Sequence, residues 1–371
     1  VVDRLRDTGL STALPVLTTG RHRARAERSL MPQGRRGAPR AVTIADVARE
    51  AGVSRATVSR AINDSDLVTA ETKRTVQEAI TRTGFVMNAR GRALATGRAE
   101  TVGVLITEPL DELFDDPTYG RMLRGVAEGL LGSGFLPVII QASSESERAL
   151  ALRSFGRRSV DAVIHLTPYR GSDLLGSLAG AGLPVVLCGQ LVDSPYEGIF
   201  STVYSDDVRG ARLAAQRVAT AGRHQVAAVL GPADNPATGD RLRGYEEVLG
   251  ARLDPARVVH TRWDSAGGLT TTARLLVAHP GIDAILAGSD RIALGALAAL
   301  QAAGRRVPED VAVVGFDDHA IAASASPPLT TIAQPLVEEG RIAAQLALEM
   351  INGADPRTEV LDMRLVPRLS A

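Results

Sequence analysis

From residue 101 onward, short apolar runs return at intervals long enough to hold one helix each, and few folds accommodate that rhythm. The first run is Thr101-Val102-Gly103-Val104-Leu105-Ile106, and others stand at 138–140, 162–164, 185–187, 226–230, 284–286 and 311–314. Strands that alternate with amphipathic helices are expected to close into doubly wound parallel sheets, because two parallel neighbours need a crossover of a dozen or more residues. Ligands bind such sheets in the crevice outside the carboxyl ends of the strands. At 371 residues the chain exceeds the usual size of one domain, and 45% hydrophobic residues suffice for a large core, so more than one domain is expected.

The segment ahead of this body has a different period. Thr43 can cap a helix whose apolar residues Ile44, Val47 and Ala48 share one face, and Ala51-Gly52-Val53 ends it. Ser54 then caps a second helix with Val58, Ala61 and Ile62 inward and Arg55, Ala56, Ser59 and Arg60 outward. A third fits 70–83, with Thr69 as cap, Val76, Ala79 and Ile80 as its core stripe and Gly84 as its stop. Two short helices across a tight turn, closed by a third, form a compact way of presenting one helix to the DNA major groove. A helical hairpin with a solvated basic face shares that pattern.

Charge supports the polyanion reading. Overall the chain has 42 basic and 42 acidic residues, but the first hundred carry 18 Lys+Arg against 10 Asp+Glu. Lys73 is the single lysine, so the basic residues are nearly all arginine, whose planar fork suits phosphate and guanine. Cys188 is the single cysteine, which excludes an intrachain disulfide and a cysteine-built zinc site and fits a cytoplasmic protein. No run reaches the ~18 consecutive apolar residues of a membrane span. Residues 1–40 read as a disordered basic tail.

The run Val42-Thr43-Ile44-Ala45-Asp46-Val47-Ala48, then Ala51-Gly52-Val53-Ser54, Thr57-Val58-Ser59-Arg60, Asn63 and Val68-Thr69, resembles the headpiece of the lac repressor (LacI/GalR) family of bacterial transcription regulators. The resemblance continues through Ser289-Asp290, Gly315-Phe316-Asp317-Asp318 and 327–335, covering roughly residue 41 to the end. It implies a small all-α helix-turn-helix headpiece followed by an α/β periplasmic-binding-protein-like two-lobed domain built on two doubly wound parallel sheets. The implied divisions are 41–86 for the headpiece, 87–99 for a hinge helix or linker, and 100–371 for effector binding and dimerisation. Within the last, the N-lobe would take 101–199 and 318–357 and the C-lobe 200–317 and 358–371. The lobes would be joined by crossings near 199–202, 316–318 and 357–360.

Roles carry over residue by residue. Arg55, Ala56 and Arg60 occupy the base-reading positions, where a good bidentate arginine contact to guanine discriminates by about 1–3 kcal/mol and Ala56 offers only a methyl. Thr43, Ser54, Thr57 and Ser59 are short donors suited to fixing register on phosphates, and Asn63 is a further DNA-binding position. In the hinge, Asn88 contacts DNA and Leu94 stands where a leucine wedges into the minor groove. Met87 replaces a usual proline there, and Gly91 a usual alanine.

For the cleft, Arg241 is the implied grip on sugar hydroxyls, Trp263 the stacking face, and Asp317 and Gln334 the hydrogen-bonding groups at strand ends. Asp116 and Tyr119, in Asp116-Pro117-Thr118-Tyr119, replace an amide and keep one aromatic of an Asn-Pro-Phe-Phe pattern, with extra residues before them. Gln190 and Ser289 also fall at effector positions, Gly189-Gln190 standing for an Asp-Arg pair and Ser289 for an asparagine. Asp290 is expected to cap the following helix.

Catalysis is not expected. There is no dinucleotide fingerprint, no Gly-x-x-x-x-Gly-Lys-Ser/Thr phosphate loop, no nucleophile beside a base, and six histidines without metal spacing, so neither cofactor nor metal is expected. The expected activity is sequence-specific DNA-binding regulation, chiefly repression, by a cytoplasmic homodimer or tetramer. A small-molecule effector, a sugar or sugar derivative, would control its affinity for operator DNA. The competing readings are a regulator with a degenerate cleft governed by a protein partner, and a solute-binding protein with no DNA role.

Overall fold

The computed structural model describes residues 42–86, 97–168, 173–190 and 195–371, which fall into two compact units divided after Val86.

The first unit is three helices: α1 (Ile44–Ala51), α2 (Arg55–Ile62) and α3 (Ala70–Thr83). Their ends are fixed by short polar side chains and glycine. The Thr43 N–H and hydroxyl both donate to Asp46 Oδ2, at 2.9 and 2.6 Å, and Gly52 closes α1 at φ +65°. Ser54 Oγ accepts from Thr57 N–H at 3.1 Å, and Thr69 Oγ1 from Thr72 N–H at 3.3 Å. Val47, Ala48, Val58, Val76 and Ala79 are buried together, with Ile44, Ala61, Ile62 and Ile80 packed against them. The stripes expected from the helical period therefore meet in one small core.

The second unit holds two sheets. In chain order the elements are β1 (Thr101–Ile106), α4 (Leu110–Asp115), α5 (Pro117–Leu130), β2 (Leu136–Gln141), α6 (Glu145–Gly156), β3 (Ala162–Leu166), α7 (Asp173–Gly180), β4 (Val185–Cys188) and β5 (Ser201–Ser205). There follow α8 (Asp207–Thr220), β6 (Val226–Leu230), α9 (Pro236–Leu249), a 3-10 turn (Gly250–Arg252), β7 (Leu253–His260), α10 (Ser265–Ala278), β8 (Ala284–Ala287) and α11 (Asp290–Ala302). The chain ends with β9 (Ala312–Asp317), α12 (Ala320–Ser324), β10 (Thr330–Ala333), α13 (Leu336–Ile351), β11 (Thr358–Leu361) and β12 (Arg364–Val366). The sheets run β11-β5-β4-β3-β1-β2 and β12-β10-β9-β8-β6-β7, parallel except for the β10–β12 pair. Strands β3, β4, β6, β8, β9 and β10 are buried on both faces, as helices on both sides of a parallel sheet require.

Strand pairing corrects the expected lobe limits. β5 pairs with β4 and β11, so the first lobe keeps the chain to residue 205 and the first crossing falls at 206 rather than near 199–202. β10 pairs with β9, so the chain does not leave the second lobe at 316–318; it leaves at Gln334-Pro335, and α13 then packs on the first lobe. β11 belongs to the first sheet and β12 to the second, which moves the last crossing from 357–360 to 362–363. The cause is that β5, β10 and β11 are short and rich in Ser, Thr and Glu, so they lack the apolar signature by which the other strands are recognised.

Candidate functional site

On the helical unit, Ser54, Arg55, Ala56, Arg60 and Asn63 are exposed, and Thr43, Thr57 and Ser59 are half-buried. Buried Val58 holds the opposite side of α2 against α1 and α3, so the outward face of α2 is a rigid polar strip. Arg55 and Arg60 make no ion pair with any described residue, which leaves both forks available to an external anion. Lys73 pairs instead with Asp64 at 2.7 Å, fastening the turn between α2 and α3. Thr43, Ser54 and Thr57 hydroxyls already serve caps, Ser54 Oγ lying 2.8 Å from Thr57 Oγ1. Asn88 and Leu94 lie outside the described residues.

In the second unit a cavity of about 480 Å³ opens between the lobes at the carboxyl ends of the strands. All eight expected effector residues line it: Asp116, Tyr119 and Gln190 from the first lobe, Arg241, Trp263, Ser289 and Asp317 from the second, and Gln334 at a crossing.

Its floor is built around Arg241, which is 5% exposed. Arg241 Nε donates to Asp207 Oδ1 at 2.7 Å, Nη1 donates to the Gly288 carbonyl and lies 3.9 Å from Asp317 Oδ1. Its guanidinium sits 3.9 Å over the Phe316 ring and 5.5 Å from the Trp263 ring centre. Burial without partners would be prohibitive for such a charge, and these contacts supply the compensation. Asp317 ends β9 at φ +108°, strained for a residue with a Cβ, and accepts a hydrogen bond from Gln334 Nε2. Trp263 is half-buried, and its ring packs closely on Gly231: a Cβ there would stand 2.2 Å from the ring. The indole thus rests on Gly231 and also lines the cavity. Tyr119 OH meets Thr167 Oγ1 at 3.1 Å, fixing a further ring at the rim.

Three side chains hold their positions differently from expectation. Asp290 does not cap α11; Ser289 does, its Oγ accepting from Ile292 N–H at 3.1 Å. The Asp290 carboxyl turns inward to accept from Thr331 Oγ1 at 2.5 Å and His319 N–H at 2.8 Å. Asp116 spends one oxygen on the Thr118 N–H, 2.9 Å away, as the cap of α5, and the other on Arg291, 3.1 Å away in the opposite lobe.

Sequence reasoning missed Asp207, Asp240 and Glu339, which also line the cavity. Asp207 follows β5 directly, and recognising β5 as a strand would have placed it at a carboxyl end, where binding groups gather. Glu339 lies on the first turn of α13 and accepts from Ser205 Oγ at 3.0 Å. Burial pushes its carboxyl up to about 8, the Ser205 hydroxyl opposing and Asp207 adding to the shift. Burial also raises Asp207 to about 6 against the pull of Arg241, and raises Asp317 against His319 and Arg241. Because Glu339 holds its proton to higher pH folded than at its ordinary 4.5, its contribution to stability is complete below about 4.5 and is lost as pH rises through about 8. Glu339→Gln keeps the neutral shape, so its melting temperature relative to the parent chain should climb across that window and level off above it. A constant difference in thermal melts would contradict the assignment.

An exposed arginine-bearing helix in a three-helix unit, followed by a two-lobed α/β body with a polar cleft, defines a DNA-binding regulator controlled by a ligand. Residues 43–88 match the bacterial regulatory proteins of the lacI family, and residues 215–371 match the periplasmic binding protein-like domain. The HTH-type transcriptional regulator CelR of Thermobifida fusca is 38% identical over 333 residues, covering 88% of this chain and 98% of that protein. The solved complex of transcriptional regulator CelR with cellobiose has a TM-score of 0.71 at 37% identity, covering 89% of this chain and all of that one. A lac repressor dimer on operator shares the fold, with a TM-score of 0.77 at 24% identity over 89% of this chain and 99% of that one. The chain belongs to the LacI family of bacterial transcriptional regulators.

Proposed function

We propose that this chain is a homodimeric repressor whose grip on a near-palindromic operator is set by a neutral disaccharide held between the lobes. The observation that carries the ligand class is the charge of the cleft. The described residues lining it hold eight carboxyl groups, of which Glu339 keeps its proton near neutral pH, against two guanidinium groups, and one of those, Arg241, is already matched by Asp207 and Asp317. Such a wall repels phosphate and carboxylate, whereas sugar hydroxyls donate to carboxyl oxygens and a pyranose face covers Trp263. A cavity of about 480 Å³ leaves room beyond a single ring. The cellobiose-bound relative CelR makes cellobiose the first compound to try.

Dimerisation finds support in β2, an edge strand whose Leu136, Val138 and Ile139 are exposed. An apolar edge of this kind is a liability unless a second copy covers it. A two-fold dimer presents two α2 helices to two half-sites, work that belongs in the cytoplasm and requires no catalysis. Among the described residues no helix is long and apolar enough to cross a membrane.

Two experiments test the reading. Calorimetry with cellobiose, glucose and cellobiose phosphate should give tight binding of cellobiose alone, and preference for the phosphorylated sugar would overturn the charge argument. Selection from randomised duplexes should return a two-fold site, and Arg60→Ala should relax base preference at one position per half-site by about 1–3 kcal/mol. An unchanged site would remove Arg60 from base reading.

A further inference from the structure

Four polar side chains on the first lobe reach across to the second, and they gather at one edge of the cleft. Arg291, at the start of α11, places Nη1 3.1 Å from Asp116 Oδ2 and 3.3 Å from Glu112 Oε2. Glu112 also faces Arg262, at 3.5 Å. From α5, Arg121 Nη1 donates to the carbonyls of Asp317 and Asp318 at 3.2 and 3.3 Å, and Thr118 Oγ1 lies 3.3 Å from His319 Nε2. The Arg291, Asp116 and Glu112 side chains are only 15%, 16% and 26% exposed. An ion pair so shielded is worth more than a surface pair, yet salt still reaches it.

We propose that Arg291, clamped between Asp116 and Glu112, is a latch that holds the two lobes together and sets how readily the effector is taken up. The inference rests on the cleft being the effector site. The pairs exist only while the lobes are apposed, and a ligand touching both lobes needs the same arrangement. Latch and ligand therefore favour one state, and the apparent affinity for ligand scales with the population of that state. The charge on Asp116 serves this pair: an amide in its place would not neutralise Arg291. Arg291 does not line the cavity, so its effect is exerted through the lobes and not through contact with ligand.

The latch gives a signature unusual for an uncharged ligand. Raising salt from about 0.1 M to about 1 M shortens the Debye length from ~10 to ~3 Å. In the full-length chain, cellobiose binding should then weaken several-fold, measured by calorimetry. Arg291→Gln should bind cellobiose about tenfold more weakly at low salt, a coupling of ordinary size between two sites, and lose less at high salt than the parent chain, because only the Glu112–Arg262 pair still spans the lobes. Arg291→Lys keeps the charge and should retain the salt dependence. In the ligand-free chains, hydrogen exchange across α4 should be faster in Arg291→Gln than in the parent, a readout independent of whether cellobiose is the effector. Thermal melts identify a variant that has lost its fold. Equal exchange on α4 in both chains, or the same salt dependence in parent and Arg291→Gln, overturns the latch. Failure of cellobiose to bind the parent chain, with faster exchange on α4 in the variant, removes the sugar and keeps the latch.

Discussion

Asp317→Ala is expected to lower affinity for cellobiose by more than about 100-fold and with it to abolish any effect of the sugar on operator binding. Asp317 is buried, accepts from Gln334, and is one of two carboxyls facing the guanidinium of Arg241. Removing it leaves the Gln334 amide without its acceptor and Arg241 with Asp207 alone. Breaking a buried charge pair in this way costs about 3–5 kcal/mol, and here the cost falls on the groups that line the cleft. Alanine also carries a Cβ, so the strain of the positive φ at this position remains and offsets none of it. Calorimetry on the purified variant checks the result, and binding within a few-fold of the parent chain would remove Asp317 from the site.

Val58→Asp is expected to destroy operator binding while cellobiose still binds. The helical unit has five buried side chains in its core, and Val58 is wholly enclosed among them. A carboxylate placed there has no partner, and a domain this small has little stability to lose. The body from residue 97 onward has its own buried clusters in each lobe and is a separate compact unit. Circular dichroism should show a lost helical transition with the main transition unchanged. Retained operator affinity would mean that α2 is not held by that core.

How much of this was legible in sequence depended on the kind of signal. The three helices of the first unit were readable nearly to the residue, because Thr43, Ser54 and Thr69 caps and Gly52 and Gly84 stops act locally. The fully apolar strands were equally clear. The crossings between lobes were not, since β5, β10 and β11 are held by their neighbours and not by their own composition. All eight expected effector residues reached the cavity wall, yet their duties were distributed differently: Ser289 caps a helix, Asp116 spans the lobes, and Asp290 supports the site from behind. Glu339 and Asp207 were invisible because a buried carboxyl reveals itself only when the surrounding chain is in place.

On the function proposed above, one chain couples a sugar in its cleft to the grip of its helices on DNA. Fluorescence anisotropy of a labelled operator, obtained by selection with the full-length protein, measures that coupling directly when titrated with cellobiose at fixed salt. Operator affinity should change at least about fivefold, the lower end of ordinary allosteric coupling, with a half-effect near the calorimetric affinity for the sugar. Operator affinity that stays constant while cellobiose saturates the protein would contradict it.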